Sequence, residues 1–292
     1  MTREIIYDIL VTSVIHNKYR RNKMDKKSSL SKSNNSKKLS INAAFKSEYG
    51  KYLEPFGFKL LKSKYPYFVR IIDNEIIQTI SLSKEKSLLD KECDGFFLCT
   101  GLSLITEHLT NFDKNPMTLD NQGYYTCDMR SLYHNYSLNF DVEKYPIKQF
   151  SFFYKKGNNE EMLSALNESQ QKLMPFVLDY FEKYVTLDSI YELGCKMTIG
   201  CFNDVIFLSD KVDEYLVVRE QNFKEEIRFL TEVVYKNKPQ LLETAKSESI
   251  EHFQKVNQWF ADRKVGGTEY DSYMKQANET KNENLAFFQK YL

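Results

Sequence analysis

The run from Phe45 to Leu82, FKSEYGKYLEPFGFKLLKSKYPYFVRIIDNEIIQTISL, constrains this chain most, because it ties one helix directly to one β-hairpin. Phe45, Tyr49, Tyr52 and Leu53 recur at three- and four-residue spacing and share a helical face, while Lys46, Glu48 and Lys51 lie elsewhere on the cylinder. Pro55 cannot continue the backbone ladder, and Gly57 accepts the positive φ that helix ends commonly need, so the helix stops there. Phe58 to Arg70 and Glu75 to Leu82 are rich in β-branched and aromatic residues, with Asp73-Asn74 as the turn between two strands. In the second strand Ile77, Thr79 and Ser81 alternate imperfectly with Ile76, Gln78, Ile80 and Leu82, which predicts one well-buried face.

Farther along, Gly95 to Ile105 is a continuous apolar run flanked by glycine and predicts a buried strand. Gly123 to Phe140 alternates aromatic and polar residues, suggesting another strand or two, and Pro146 to Tyr154 predicts the last strand of the sheet. Asn158 or Asn159 can cap a helix whose first turn holds Glu160 and Glu161, where the positive end of the dipole favours carboxylates. These two glutamates therefore read as helix-start residues rather than as a general acid and base. That helix must break, kink or restart at Pro175, and a second helical face follows from Phe176 to Tyr184. A short helix then runs from Thr186 or Asp188 to about Leu193.

After Asn222 antiparallel helices are expected: Phe223, Ile227, Leu230 and Val234 are spaced by three and four, and so are Ile250, Phe253, Val256, Trp259 and Phe260. Pro239 suits a first helical turn, Gly266-Gly267 a stop, and Thr268 with Asp271 a capping pair. Leu285, Phe287, Phe288, Tyr291 and Leu292 form an apolar end expected to dock on the domain or on a second subunit. The fold class is α+β: an antiparallel sheet of about five or six strands packed by helices, followed by a mainly α-helical C-terminal region. The boundaries are a basic segment at 1–40, an α+β domain at 41–196 and a helical region at 197–292.

The order of helix, Leu53-Glu54-Pro55-Phe56-Gly57-Phe58-Lys59, Tyr67-Phe68-Val69-Arg70 and Ile76-Ile77-Gln78-Thr79-Ile80-Ser81-Leu82 resembles a bacterial family catalogued as a domain of unknown function. Leu173-Met174-Pro175-Phe176, leading to Leu187-Asp188-Ser189-Ile190-Tyr191-Glu192-Leu193, is similar to the helical segment that ends those domains. The resemblance covers about residues 43–196, and it implies a fold and no chemistry, since that family offers no catalytic residues to carry over.

Composition bounds the function classes. The net charge of +1 over 292 residues gives no global pull toward nucleic acid or an acidic membrane surface. Aromatic content of 14 % comes from Tyr and Phe, and with abundant Lys, Asn and Ile it points to an AT-rich genome more than to a selected aromatic surface. Five cysteines, Cys93, Cys99, Cys127, Cys195 and Cys201, make no C-x₂-C pair, so they read as free, mostly buried thiols in a reducing, cytoplasmic compartment. No metal site is expected, because His108, Cys127 and His134 have no ligand spacing between them. Ile5 to Ile15 is too short to span a bilayer, and its basic residues follow the apolar run, opposite to a secretory signal. Lys18 to Lys38 carries nine Lys or Arg against Asp25, a composition predicting disorder. Met24 lies inside it, so translation from Met1 or from Met24 stays open.

The densest group of functional side chains is Tyr124, Tyr125, Asp128, Arg130, Tyr133, His134 and Tyr136. Arg with Tyr and His can receive a phosphate or carboxylate by bidentate hydrogen bonds and stacking, so Tyr125, Asp128, Arg130, Tyr133 and His134 are the candidate ligand-binding residues. The competing reading is an exposed sheet face on which Tyr and Arg cover apolar surface. Asp204, Asp210, Asp213 and Glu214 cluster near a turn but lack the glycine and alternation of a calcium loop. The chain has no GxxxxGK[ST], GxGxxG, HExxH or GxSxG motif, and no cofactor is expected. The leading expectation is a non-catalytic cytoplasmic module that binds another protein, as immunity and accessory proteins do, with an exposed apolar patch of several hundred Å². The alternative is an enzyme acting on a phosphorylated or nucleotide ligand through residues 124–136. A third reading, nucleic-acid attachment through the basic tract, predicts steep loss of binding with salt.

Overall fold

Ser40 begins the first described element: its hydroxyl accepts a hydrogen bond from the Ala43 N–H at 3.2 Å, capping helix α1, Ile41–Leu53. The computed structural model describes residues 39–62, 66–88, 90–106, 127–128, 144–197 and 203–292. The expected disorder of the basic tract and the start-site alternative lie outside the described residues. Ile41, Ala44, Phe45, Tyr49 and Leu53 make the buried face of α1. Pro55 falls in a 3₁₀ turn, Glu54–Phe56, which Gly57 closes at φ +81°.

Among the described residues a six-stranded antiparallel sheet follows: β1 (Lys59–Leu60), β2 (Tyr67–Ile72), β3 (Ile76–Lys86), β4 (Cys93–Leu104), β5 (Cys127–Asp128) and β6 (Ser151–Lys155). They pair in the order β1-β2-β3-β4-β5, and β6 also pairs with β4. Asp73 and Asn74 take φ of 50° and 56°, the left-handed geometry of a tight hairpin turn, which short polar residues tolerate. The first expected strand is split, because only Lys59–Leu60 and Tyr67–Ile72 pair. The last is shorter than its alternation suggested, beginning at Ser151.

Register explains the imperfect alternation of β3. Opposite pairs Phe68↔Ile80, Ile76↔Leu104 and Leu82↔Leu98 lie on one face, whereas Val69↔Thr79 and Ile77↔Ser103 lie on the other. Every residue from Ile76 to Leu82 is buried, so this strand is covered on both faces rather than one. The first face packs on α1 and on helix α2 (Asn159–Lys183), through Phe45, Phe68, Phe96, Phe152, Leu166 and Phe181 among others. α2 is capped by the Asn158 side chain, which accepts from the Glu161 N–H at 3.1 Å. It runs through Pro175 as one helix. Pro175 is exposed while Leu173, Met174, Phe176 and Val177 are buried, so the carbonyl that proline leaves without a donor lies on the solvent side and core packing holds the backbone.

Helices α3 (Leu187–Met197), α4 (Asn203–Leu208), α5 (Val212–Phe229), α6 (Pro239–Arg263) and α7 (Tyr270–Tyr291) complete the chain. α7 answers where the apolar end goes. Phe288 packs with Leu61, Tyr67, Val69, Ile77 and Ile105 on the second face of the sheet. The Lys62 N–H donates to the Tyr291 carbonyl at 2.8 Å, the Asn284 amide donates to the Ile105 carbonyl at 2.7 Å, and Lys281 pairs with Glu75. The expected Thr268 and Asp271 capping pair does not form: α7 starts without a side-chain cap, and the Thr268 hydroxyl faces Asp262. Glu269 pairs instead with Arg263, which holds the turn between α6 and α7.

Candidate functional site

Of the candidate ligand residues, Tyr125, Arg130, Tyr133 and His134 lie outside the described residues, as do Tyr124 and Tyr136. Asp128 sits in β5 opposite Cys99 of β4. The acidic group around residue 210 is dispersed by its partners. Asp204, half-buried, accepts from the Thr106 hydroxyl at 3.0 Å and the Tyr273 hydroxyl at 2.6 Å, joining the turn after β4 to α4 and α7. Asp213 pairs with Lys264 at 2.7 Å and Glu214 with Lys211 at 2.9 Å. Among the described residues no group of three His, Cys, Asp or Glu side chains could hold a metal ion. Cys93 and Cys99 are half-buried rather than fully buried, and burial is the main cause raising the Cys93 thiol above its ordinary range, with Asp90 adding to it.

A buried polar group lies where β2, β3 and the end of α2 meet. Gln78 is wholly buried, and its amide N–H groups donate to the carbonyls of Phe181 at 2.9 Å and Tyr184 at 3.1 Å. Its side-chain oxygen accepts from Arg70 Nε at 2.7 Å. Arg70 Nη1 donates to Glu182 at 2.6 Å and to the Phe56 carbonyl at 3.1 Å, and the guanidinium lies over the Phe58 ring at 4.9 Å. Apart from the cross-strand Arg70–Gln78 bond, the contacts go to the C-terminus of α2 or to the exit of α1, so the group joins helices to sheet, and its most exposed part is the carboxylate of Glu182, 60 % exposed against 11 % for Arg70. The resemblance motif placed Gln78 and Arg70 in adjacent strands, but sequence had no signal that they would be cross-strand partners.

The surface that departs most from an ordinary domain is the hairpin of α5 and α6. Between Val212 and Phe260 no residue is buried. Half-buried positions recur along one stripe of each helix, Leu216, Arg219, Phe223, Ile227 and Leu230 on α5 and its continuation, and Leu242, Lys246, Ser249, Phe253 and Asn257 on α6. The two stripes meet. The Phe223 and Phe253 rings stack at 4.2 Å, Arg219 donates to the Asn257 side chain at 2.9 Å, and the Ser249 hydroxyl donates to Glu226 at 3.1 Å. Tyr215 and Phe260, 4.9 Å apart, root the pair in the main core. From Tyr215 to Val234 the rise of about 1.5 Å per residue carries the hairpin roughly 30 Å outward.

Off that seam the arm exposes Val217, Phe229, Val233, Val234, Leu241 and Ile250 at 42–62 %. Phe229, Val233, Val234 and Leu241 gather at the far end, where α5 gives way to a π-helical turn, Leu230–Val234, before Pro239 opens α6. A π-turn adds a residue to the helical cycle and shifts the following side chains off the seam, which places Val233 and Val234 in solvent. Three ion pairs on the arm lie within a single helix, Lys224–Glu220, Arg228–Glu225 and Lys255–Glu251. Lys255 holds the Glu251 carboxyl below the usual range. The spacing of Phe223, Ile227, Leu230 and Val234 had suggested one stripe; the π-turn takes Val234 out of it.

Comparison with protein-family models, with curated proteins and with solved structures finds no match to this chain. The family resemblance therefore rests on the residues that carry it. Among the described residues no helix is long and apolar enough to cross a membrane.

Proposed function

We propose that this chain is a non-catalytic protein-binding module that works in the cytoplasm and holds its partner through the arm formed by α5 and α6. One observation carries the reading: a helical hairpin without a buried residue between Val212 and Phe260 keeps four large apolar side chains in water at its end. Helices of this length gain most of their stability from burying an apolar face, and a single seam uses only half of what two helices offer. An exposed apolar group of this size on an otherwise charged surface is the mark of an interaction site. The balanced charge of the arm argues against nucleic acid, which would need a basic stripe. Cysteines without metal or redox spacing support a reducing compartment.

The test is a pull-down from native lysate with tagged full-length chain, comparing wild type with Phe229→Ser, Val233→Ser and Leu241→Ser combined. A stoichiometric, salt-resistant protein bound by wild type and absent from the triple variant, whose circular dichroism stays unchanged, is the expected outcome. Equal capture by both, or none by either, would set the reading aside.

A further inference from the structure

Resting on that reading, we infer that the partner of the arm is a second copy of this chain, the two hairpins lying against each other about a twofold axis as a four-helix bundle. A two-helix hairpin has one seam filled and its flanks open, and twofold pairing is the simplest arrangement that makes the same patch serve both sides. The dimensions fit. A flank about 30 Å long and two helix diameters wide, roughly 20 Å, offers on the order of 600 Å² per copy. Two copies then bury about 1,200 Å², the lower limit for a specific and stable protein interface.

Charge does not oppose the pairing. From Val212 to Arg263 there are ten Asp or Glu and eight Lys or Arg, a net of −2, so a copy meeting a copy feels little repulsion. A strongly charged partner would find no complementary field on this surface. With the twofold axis along the arm, tip meets tip, so Phe229, Val233 and Leu241 form the apolar end of the interface and the ion pairs internal to each helix part of its rim.

Sedimentation velocity of the full chain from 1 to 300 μM reads the mass directly. Wild type should move from 34.6 kDa toward twice that value, and Phe229→Asp with Val233→Asp should weaken association at least tenfold. Leu88→Ser removes a large apolar side chain, 98 % exposed and outside the arm, and should leave association unchanged. A chain that stays at 34.6 kDa throughout, or a tip variant that dimerises like wild type, overturns the inference. If wild type stays monomeric while the lysate partner is still lost with the tip variant, the binding reading stands and its occupant is a different protein. If both fail together, the arm is no docking surface.

Discussion

Replacing Gln78 by Leu should be among the costliest single changes in this fold, although it puts an apolar side chain into an apolar layer. The size is tolerated, and the loss is polar. Gln78 supplies the donors to the carbonyls of Phe181 and Tyr184 at the end of α2, and the acceptor for Arg70 Nε. The Phe181 carbonyl also accepts from the Tyr184 N–H at 3.2 Å, so it keeps a partner and contributes little to the cost. The Tyr184 carbonyl loses a donor at a buried position, worth about 1–2 kcal/mol. Arg70, whose side chain is only 11 % exposed, loses a charge-assisted bond worth about 1.5–3 kcal/mol, and its buried Nη2 already has no partner among the described residues. The sum is about 2.5–5 kcal/mol, set against a whole stability of roughly 5–15 kcal/mol. Urea unfolding followed by far-ultraviolet circular dichroism would read it as a lower midpoint at unchanged slope. Gln170→Leu is the control, since its single 3.4 Å bond to the Glu48 carbonyl is half-exposed and should cost under about 1 kcal/mol. In Arg70→Met the Gln78→Leu step should cost measurably less, because no guanidinium is left behind. A Gln78→Leu cost below about 1 kcal/mol, or additivity of the two changes, would refute the account of this junction.

Three other outcomes are expected. A Cβ on Gly95 would come within 2.5 Å of the Phe153 ring, so Gly95→Ala should cost about 1–2 kcal/mol, and adding Phe153→Ala should recover most of it in the same unfolding assay. Phe288→Ala should cost about 3–5 kcal/mol and make α7 the first site of limited proteolysis, because Phe288 fills the second face of the sheet. Burial raises the hydroxyl of Tyr49, which bonds Ser169 at 2.6 Å, and pushes that of Tyr184 up to about 12. Both phenols are harder to ionise folded than unfolded, so their contribution is complete below about pH 10 and lost as pH rises from there toward 12. Unfolding midpoints measured from pH 8 to 12 should fall along this limb, and Tyr49→Phe should flatten it while lowering stability at pH 8 by about 1 kcal/mol.

The α+β class, the Asp73-Asn74 hairpin, the Asn158 cap and the Pro239 start were legible because each depends on a few neighbouring residues whose chemistry admits one conformation. What sequence misjudged depends on partners distant in the chain. Two-sided burial of β3 became visible only with α7 on the second face, some two hundred residues later. Thr268 and Asp271 had the spacing of a cap, but Arg263 and Asp262 offered Glu269 and Thr268 competing partners. Of the candidate ligand residues only Asp128 has a described place, opposite Cys99, and it was a tertiary pairing that set it there.

Strand edges sharpen the case for the arm as the reactive surface. Among the described residues β6 pairs with β4 alone, and an open edge is the usual route by which a sheet captures another chain. Here the Lys155 N–H donates to the Glu161 carboxylate at 3.0 Å, and the Ser151 carbonyl accepts from the Gln149 amide at 3.2 Å. Both ends of β6 are thus engaged by side chains of this chain, leaving too short a ladder for an added strand. β1 has only two residues, so the opposite edge is short as well. A partner that binds by strand addition would have to break these bonds first. The side of a helical hairpin makes no such demand, because its backbone groups are already paired and its apolar side chains are already in water. Association through α5 and α6 should therefore leave the sheet amides as slow to exchange as in the isolated chain, whereas strand addition would protect β6 anew; hydrogen exchange across the dimerisation range separates the two.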